Sequence, residues 1–242
     1  MSATTAHIAL TAATFVAAFA AGLAGFAYAL VASAIYLHVL SPVQAVPLVL
    51  AGSLAAQTIT LFSVRREIDW PRLWPFLIGG IVGIPIGVHL LTQVEAGTFR
   101  VAVGLFLVVY SVYQLARAKP AVLRGGGRAA DGAVGFVGGV MGGLAGLSGA
   151  VPTVWCGLRG WSKDTQRGVY QPFIFVMQLL ALVWLGGLGA VESETGALFL
   201  ICLLGLLPGV WLGLRLYRRV DDAQFRRLVL MLLLGSGVAL LL

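Results

Sequence analysis

Apolar runs of about 20 residues, separated by short polar segments, occupy almost the whole of this sequence. A helix that crosses a lipid bilayer needs about 20 such residues, because the hydrocarbon core is about 30 Å thick. Of the residues, 60% are hydrophobic and 10% are charged, whereas soluble domains carry about 25% charged residues. The sequence therefore predicts an all-α polytopic membrane protein without a soluble domain. Six runs each fit one crossing: 42–63, 73–94, 98–116, 168–190, 196–214 and 223–242.

Two further apolar runs, 7–40 and 133–158, are interrupted by glycine clusters. The interruption of the second run lies in Met141–Trp155, which is rich in glycine and also contains Pro152. In the interior of a helix, glycine costs about 1 kcal/mol relative to alanine and proline costs about 3 kcal/mol. We expect each run to break into two pieces of about 10–15 residues, which are too short to span a bilayer and suit a re-entrant hairpin.

The placement of basic residues favours these hairpins over single crossings. If every run crossed once, the Lys and Arg residues would be divided almost evenly between the two sides of the membrane. If the two interrupted runs are hairpins, one side holds all 16 Lys and Arg residues except Arg100. By the positive-inside rule, this side is expected to be cytoplasmic in a multi-pass protein of the cell (inner) membrane. Its loops are 64–72, 117–131, 159–167 and 215–227.

A long residue pattern occurs twice in the chain. The pattern Leu77, Gly79, Gly83, Gly87, Leu90, Val94, Phe99, Arg100 recurs with identical spacing as Leu203, Gly205, Gly209, Gly213, Leu216, Val220, Phe225, Arg226. We therefore expect two repeats, 1–116 and 132–242, joined by the polar linker 117–131. Each repeat combines one broken glycine-rich helix with three transmembrane helices, which makes eight membrane segments. Because three crossings is an odd number, the second repeat is inverted, as in many transporters.

The spaced glycines of the repeated pattern are typical of close helix packing. The broken helices point to a different role. A helix N-terminus carries partial positive charge and free N–H groups, which favour an anion, and glycine allows the backbone to approach a ligand. The candidate substrate-binding residues are Gly22, Gly25 and Tyr28 in the first broken helix, Gly143, Gly146, Ser148, Gly149 and Thr153 in the second, and Gln57 and Gln178 beside them.

Gln57 and Gln178 occupy equivalent positions in the two repeats. A buried amide in a membrane needs a partner, so these side chains either form hydrogen bonds between helices or bind substrate. No Asp, Glu, Lys or Arg lies at the centre of a predicted span. We therefore expect a site without charged side chains, which suits a small anion or a neutral solute and leaves the coupling ion and the oligomeric state undefined.

Two other interpretations deserve comparison. The sequence Gly146-Leu147-Ser148-Gly149 resembles the motif of an intramembrane serine hydrolase, but a serine nucleophile needs a base within hydrogen-bond reach. The histidines, His7, His38 and His89, all precede Ser148, and we expect no catalytic residue. The two cysteines, Cys156 and Cys202, have no metal-binding spacing, so no metal and no cofactor are expected. A membrane scaffold without transport activity is the third alternative.

The chain resembles the TauE/SafE family of sulfite and sulfonate exporter-like permeases, also called the toluene sulfonate uptake permease family. The resemblance is carried by Gly142–Gly149 with Pro152 following, and by Phe225-Arg226-Arg227 at the start of the last run. The chain departs from the family pattern at Phe26–Ala29, where the family has further glycine and proline. It also departs at Ser148, which replaces a glycine, and at Ala150-Val151, which replace prolines.

The resemblance implies a permease for small sulfur-containing anions, such as sulfite, thiosulfate or organosulfonates. Import and export both occur in the family. The expected partners are therefore the anionic substrate and membrane lipid, with no nucleic acid and no enzymatic activity.

Overall fold

The computed structural model describes residues 3–36, 40, 42–90, 96–116, 122–123, 125–187 and 193–241. His38 and linker residues 117–121 lie outside this part of the chain. Within the described residues, the ten α-helices are α1 (Ala3–Ala24), α2 (Tyr28–Tyr36), α3 (Pro42–Val64), α4 (Trp70–Leu90), α5 (Ala96–Ala116), α6 (Gly127–Ala145), α7 (Ala150–Leu158), α8 (Lys163–Gly187), α9 (Ser193–Tyr217) and α10 (Asp222–Leu241). A 3-10 turn, Arg65–Glu67, follows α3.

The six runs expected to cross once coincide with α3, α4, α5, α8, α9 and α10. In lipid, every backbone polar group needs a partner within the chain, and a helix supplies it. In the described part of the chain, five helices are long and apolar enough to cross a membrane: α1, α4, α8, α9 and α10. Shorter apolar stretches, 47–63 and 104–116, lie in α3 and α5. The chain is an all-helical, multi-pass membrane protein.

The helices α1 and α2 form a hairpin, called hairpin 1 below. α1 ends at Ala24, and Gly25 follows with a φ of +84°, a conformation that glycine adopts without strain. The hydroxyl groups of Thr14 and Tyr36 are hydrogen-bonded to each other. Thr14 lies near the middle of α1 and Tyr36 at the end of α2, at similar distances from the turn. α2 therefore runs back along α1.

The helices α6 and α7 form hairpin 2 in the same way. Gly146 ends α6 with a φ of 70°, and its N–H donates to the Gly142 carbonyl at 2.8 Å. At the open end of the hairpin, the Trp155 indole N–H donates to the Asp131 carboxylate at 2.7 Å, so α7 returns beside the start of α6. Both helix breaks lie at the glycine clusters that predict them.

The two arms of each hairpin differ in length. α1 and α6 contain 22 and 19 residues, whereas α2 and α7 contain 9 residues each. The expectation of two short arms of similar length is therefore wrong. At 1.5 Å per residue, α1 is about 33 Å long, which matches the thickness of a bilayer core. The long arms stay helical through their glycines because those glycines pack tightly against other helices.

The repeated glycines confirm this close packing. A Cβ added to Gly79, Gly83 or Gly87 of α4 would lie 2.0–2.3 Å from a carbonyl oxygen of α6. A Cβ added to Gly205, Gly209 or Gly213 of α9 would lie 2.3–2.5 Å from a carbonyl oxygen of α1. Each row of glycines thus packs on the long arm of the hairpin in the other half of the chain. These two pairs of helices have the most extensive contacts of the fold.

Two other pairs of helices, α3 with α8 and α5 with α10, run antiparallel. Ser53 of α3 contacts Gln178 of α8, and Thr60 contacts Gln171. From the first contact to the second, the residue number rises in α3 and falls in α8, so the two helices run in opposite directions. The pair α5 and α10 has the same arrangement, because Gly104 lies against Gly237 and the Gln114 carbonyl accepts a hydrogen bond from Arg226. In each pair, the two helices occupy corresponding positions in the two halves of the chain.

The basic loops meet at one end of the molecule. The Glu67 carbonyl lies against Gly168, the Lys163 N–H donates to Asp222 at 3.0 Å, and the Leu123 N–H donates to the Leu158 carbonyl at 2.7 Å. The described residues of 64–72, 122–131, 159–167 and 215–227 together form this end, called the basic face below. Both α1 and α3 run toward the basic face, and both α6 and α8 start from it.

Candidate functional site

The turns of the two hairpins meet inside the protein. A Cβ on Gly149 of the second turn would lie 3.2 Å from the Phe26 Cβ of the first turn and 2.6 Å from Ile174 of α8. A Cβ on Gly25 would lie 2.9 Å from the Gln171 side chain. The Phe26 ring meets the Tyr170 ring edge-on, with 6.1 Å between centroids. The two helix breaks therefore converge on α8, and we call this region the turn junction.

Buried polar side chains of α3 and α8 surround the first turn. The Gln57 amide N–H donates to the Gly25 carbonyl at 2.8 Å. The Gln171 amide N–H donates to the Thr60 hydroxyl at 2.9 Å and lies 3.4 Å from the Gln57 amide oxygen. All three of these α3 and α8 side chains are buried. This network fixes the first turn against both helices, so Gln57 has a structural hydrogen bond as well as a place beside the turn junction.

Gln178, the counterpart of Gln57, is bonded differently. Its amide N–H donates to the Ser53 hydroxyl at 2.8 Å, so it joins α8 to α3 and not to its own hairpin. Its amide oxygen is buried and has no hydrogen-bond partner among the described residues. An unsatisfied buried polar group costs about 1–3 kcal/mol. The Gln178 amide therefore retains an unused acceptor.

Hairpin 2 also contains buried hydroxyl groups without partners. Ser148, in the turn, and Thr153, in the first half of α7, are buried. Neither side-chain oxygen has a hydrogen-bond partner within the described part of the chain. Ser148 therefore has no base in contact, as nucleophilic catalysis would require. A hydroxyl can instead donate to a ligand, and both groups lie where α7 begins.

The structure divides the predicted glycines into two groups. Gly25, Gly146 and Gly149 lie in the turns, as expected. Gly22 and Gly143 lie inside the long arms, where an added Cβ would be 2.5 Å from a carbonyl oxygen of α9 or α4 respectively. Their main contribution is therefore helix packing beside the turn junction.

Tyr28 belongs to a separate polar cluster. Its hydroxyl lies 3.4 Å from the Tyr36 hydroxyl, and Tyr36 in turn lies 3.6 Å from the Cys202 sulfur. This cluster links α2 to α1 and α9. The Tyr28 hydroxyl also lies against Gly52 of α3, next to Ser53, and the Tyr28 backbone starts α2 next to the first turn.

Sequence reasoning did not identify Arg167 as a site residue and placed it in the basic loop 159–167. Arg167 lies one turn after the start of α8 at Lys163, and its exposed fraction is 0%. Its Nε donates to the Gln171 amide oxygen at 2.9 Å, and Nη1 donates to the Gly22 carbonyl at 3.2 Å. The guanidinium lies 4.0 Å from the Tyr217 ring centroid. A buried charged side chain therefore lies beside the turn junction, where the sequence analysis expected none.

The spacing of polar residues could have revealed this arrangement. Arg167, Gln171 and Gln178 share one face of α8, because residues four and eleven positions apart align along a helix. Ser53, Gln57 and Thr60 share one face of α3 for the same reason. Gln171, Gln178 and the three α3 residues lie inside apolar runs, and the two polar faces meet between α3 and α8. A search for helical periodicity among polar residues would have found both faces, and its extension past the start of the run at 168 would have reached Arg167.

One comparison with known proteins identifies the family of this chain. The family model for the sulfite exporter TauE/SafE matches residues 10–240, which include hairpin 2 and all but the ends of hairpin 1 and of the last crossing run. Comparisons with curated proteins and with solved structures give no match. The proteins of this family are transporters, so the interpretation of Ser148 as a hydrolase nucleophile is wrong. The chain belongs to the TauE/SafE sulfite exporter family of membrane transporters.

Proposed function

We propose that this protein is a permease for small sulfur-containing anions, such as sulfite, thiosulfate or an organosulfonate, and that the anion binds at the turn junction. The observation that carries the proposal is the set of buried polar atoms at the turn junction and beside it that have no hydrogen-bond partner among the described residues: the Ser148 and Thr153 hydroxyls, the Gln178 amide oxygen and Nη2 of Arg167. Such groups are rare in folded proteins. Three of the four are hydrogen-bond donors, which suits an oxyanion.

The chain is proposed to consist of two inverted repeats, 1–116 and 132–242, joined by 117–131. Two observations support this division. Corresponding helices run antiparallel in the pairs α3 with α8 and α5 with α10. The contacts between α4 and α6 are also repeated by those between α9 and α1, residue for residue along the glycine pattern. Transporters with this plan hold their substrate near the middle of the bilayer, between discontinuous helices.

Hairpins 1 and 2 are proposed to be re-entrant, so that the protein has six crossings and two hairpins. The return of α2 along α1 and of α7 along α6 supports this topology. The basic face then lies in the cytoplasm, by the positive-inside rule, and the protein lies in the cell (inner) membrane. Hairpin 1 enters from the opposite side, and hairpin 2 enters from the cytoplasm.

In this proposal, the substrate contacts are Gly25 of the first turn, Gly146, Ser148, Gly149 and Thr153 of hairpin 2, and Gln57 and Gln178 of the flanking helices. Alternating access needs two rigid bodies that move relative to each other. The tight glycine contacts favour one body made of hairpin 1 with α9 and another made of hairpin 2 with α4. This partition differs from the simple rocking of one repeat against the other.

The experiment that tests the function is the uptake of radiolabelled sulfite by proteoliposomes that contain the purified protein. Unlabelled thiosulfate, sulfoacetate and taurine serve as competitors. We expect saturable uptake that at least one anionic competitor suppresses. Uptake no greater than that of empty liposomes, with folded and inserted protein, would contradict the proposal for sulfite.

A further inference from the structure

The hydrogen bonds of Arg167 leave part of its guanidinium unused. Nε is bonded to Gln171, and Nη1 is bonded to the Gly22 carbonyl and lies 3.5 Å from the Leu23 carbonyl. Nη2 is buried and has no hydrogen-bond partner within the described residues. One nitrogen of a fully buried arginine therefore has two N–H groups available for a ligand.

In the described part of the chain, no Asp or Glu forms an ion pair with Arg167. Asp164 attracts its positive charge electrostatically but lies beyond salt-bridge distance. Asp164, one turn earlier in α8, accepts a hydrogen bond from the Tyr217 hydroxyl. The carbonyl groups at the end of α1 and the face of the Tyr217 ring give partial compensation. A buried charge normally requires a counter-charge, and a bound anion would supply it.

The position of Arg167 along α8 places its charge beside the proposed binding site. α8 starts at the basic face with Lys163. Arg167 lies one turn further along, and Gln171, which contacts Gly25, lies one turn beyond that. Arg167 therefore lies between the turn junction and the basic face. An anion that moves between these two places passes its guanidinium.

We propose that Arg167 is the residue that recognises the negative charge of the transported anion, with Nη2 donating to an oxygen of the sulfite or sulfonate group. Arginine suits this role because its planar donors match oxyanion geometry. The proposal rests on the proposed function, since it assigns the charge selectivity of that same site. It predicts preference for anions over neutral or zwitterionic compounds of similar size, such as taurine.

If the role of Arg167 is purely structural, its side chain only holds the end of α1 against α8. The matched control for this possibility is Arg215. Its guanidinium lies 3.8 Å from the Trp211 ring centroid, much as that of Arg167 lies over Tyr217, but the Arg215 side chain is exposed. Arg215→Gln removes the same charge at the same end of the molecule without touching the turn junction.

The test compares wild type, Arg167→Gln, Arg167→Lys and Arg215→Gln in two measurements. The first is the sulfite concentration dependence of uptake by proteoliposomes. The second is the rise of Tm with sulfite in detergent, because a ligand that binds the folded state stabilises it. We expect Arg167→Gln to raise the KM at least tenfold and to lose the sulfite-dependent rise of Tm. Arg167→Lys should have an intermediate KM, and Arg215→Gln should match wild type.

The possible failures are distinguishable. If wild type transports sulfite and Arg167→Gln keeps the wild-type KM and Tm response, Arg167 is not the anion-recognising residue, although the function stands. A lower Tm without ligand, with an unchanged response to sulfite, indicates the structural role and also overturns the proposal. If Arg167→Gln does not fold, a wild-type KM in Arg167→Lys overturns it. If wild type shows neither uptake nor a Tm response, the proposed function fails for sulfite, and this proposal fails with it.

Discussion

Individual residues at the turn junction differ in how fully their hydrogen bonds are used. Gln57 and Gln178 occupy equivalent places in the repeated pattern, yet Gln57 holds the Gly25 carbonyl whereas the oxygen of Gln178 has no partner within the described residues. Equivalent sequence positions therefore separate into a residue that maintains the turn and one that keeps an unused acceptor. The sequence pattern predicts the pair but does not distinguish the members, because their partners lie on other helices.

This difference predicts that the two alanine variants change different quantities: Gln178→Ala mainly the sulfite flux, and Gln57→Ala mainly the Tm. Gln178→Ala should reduce sulfite flux by about tenfold, as the loss of roughly 1.4 kcal/mol of binding would, and should change Tm little. Gln57→Ala should lower Tm more, because the Gly25 carbonyl and the Gln171 amide lose a partner. Flux in proteoliposomes and thermal unfolding in detergent provide the measurements. Unchanged transport by Gln178→Ala would limit Gln178 to helix packing.

Ser148 has a matched control in Ser111 of α5. Both serines are fully buried, and both hydroxyls lack a partner in the described part of the chain, but α5 packs on α10 and does not line the turn junction. Alanine at either position should change the free energy of unfolding by a similar small amount. Ser148→Ala should raise the KM for sulfite and keep partial transport, whereas Ser111→Ala should transport like wild type. Equal KM values for the two variants would remove Ser148 from the site.

Among the helices, positions could be predicted from the sequence more accurately than lengths. Apolar run length predicts α3, α4, α5, α8, α9 and α10, and the glycine clusters predict both breaks. The long arms α1 and α6 were not predicted, because glycine propensity alone disfavours helix. In the structure, α6 continues through Gly139 and Gly143 because α4 lies directly against them. Tertiary packing thus decides where these helices end, and a single sequence does not contain that information directly.

Glycine packing in α4 predicts a large difference between two glycine-to-alanine changes. A Cβ at Gly83 would lie 2.3 Å from the Phe136 carbonyl oxygen, whereas a Cβ at Gly235 of α10 would meet nothing within 4 Å. Gly83→Ala should destabilise the protein by about 1–3 kcal/mol through overpacking. Gly235→Ala should be neutral or slightly stabilising, because alanine is the better helix former. Tm values of the two purified variants test this, and equal values would argue against contact between α4 and α6.

For the whole molecule, the arrangement of charge is the feature that relates the fold to a membrane. The basic loops meet at one end although they come from four separate parts of the chain. Their common position could be predicted from the distribution of Lys and Arg, because orientation in a membrane depends on that distribution. Arg167 could not be recognised by the same counting, because it is close to a loop in sequence but buried in the structure.

The proposed topology predicts the side from which single cysteines react. In a background without Cys156 and Cys202, the exposed positions Arg66, Arg128 and Arg218 are each replaced by Cys. All three variants should react with a membrane-impermeant maleimide in inverted membrane vesicles and not in intact cells. Gly196→Cys, at the opposite end of α9, should show the reverse. Labelling of Arg128→Cys and Arg218→Cys from different sides would exclude the hairpin topology.

The glycine rows also bear on how the two halves of the chain depend on each other. Each hairpin packs on a helix of the opposite half, so the fold resembles a domain-swapped dimer whose two subunits have been fused into one chain. Neither half can then cover its own hairpin, and each acts as the assembly partner of the other. In the order of synthesis, hairpin 1 is complete long before α9, the helix on which it packs. The surface of α1 that α9 covers therefore has no α9 partner until most of the chain has been made.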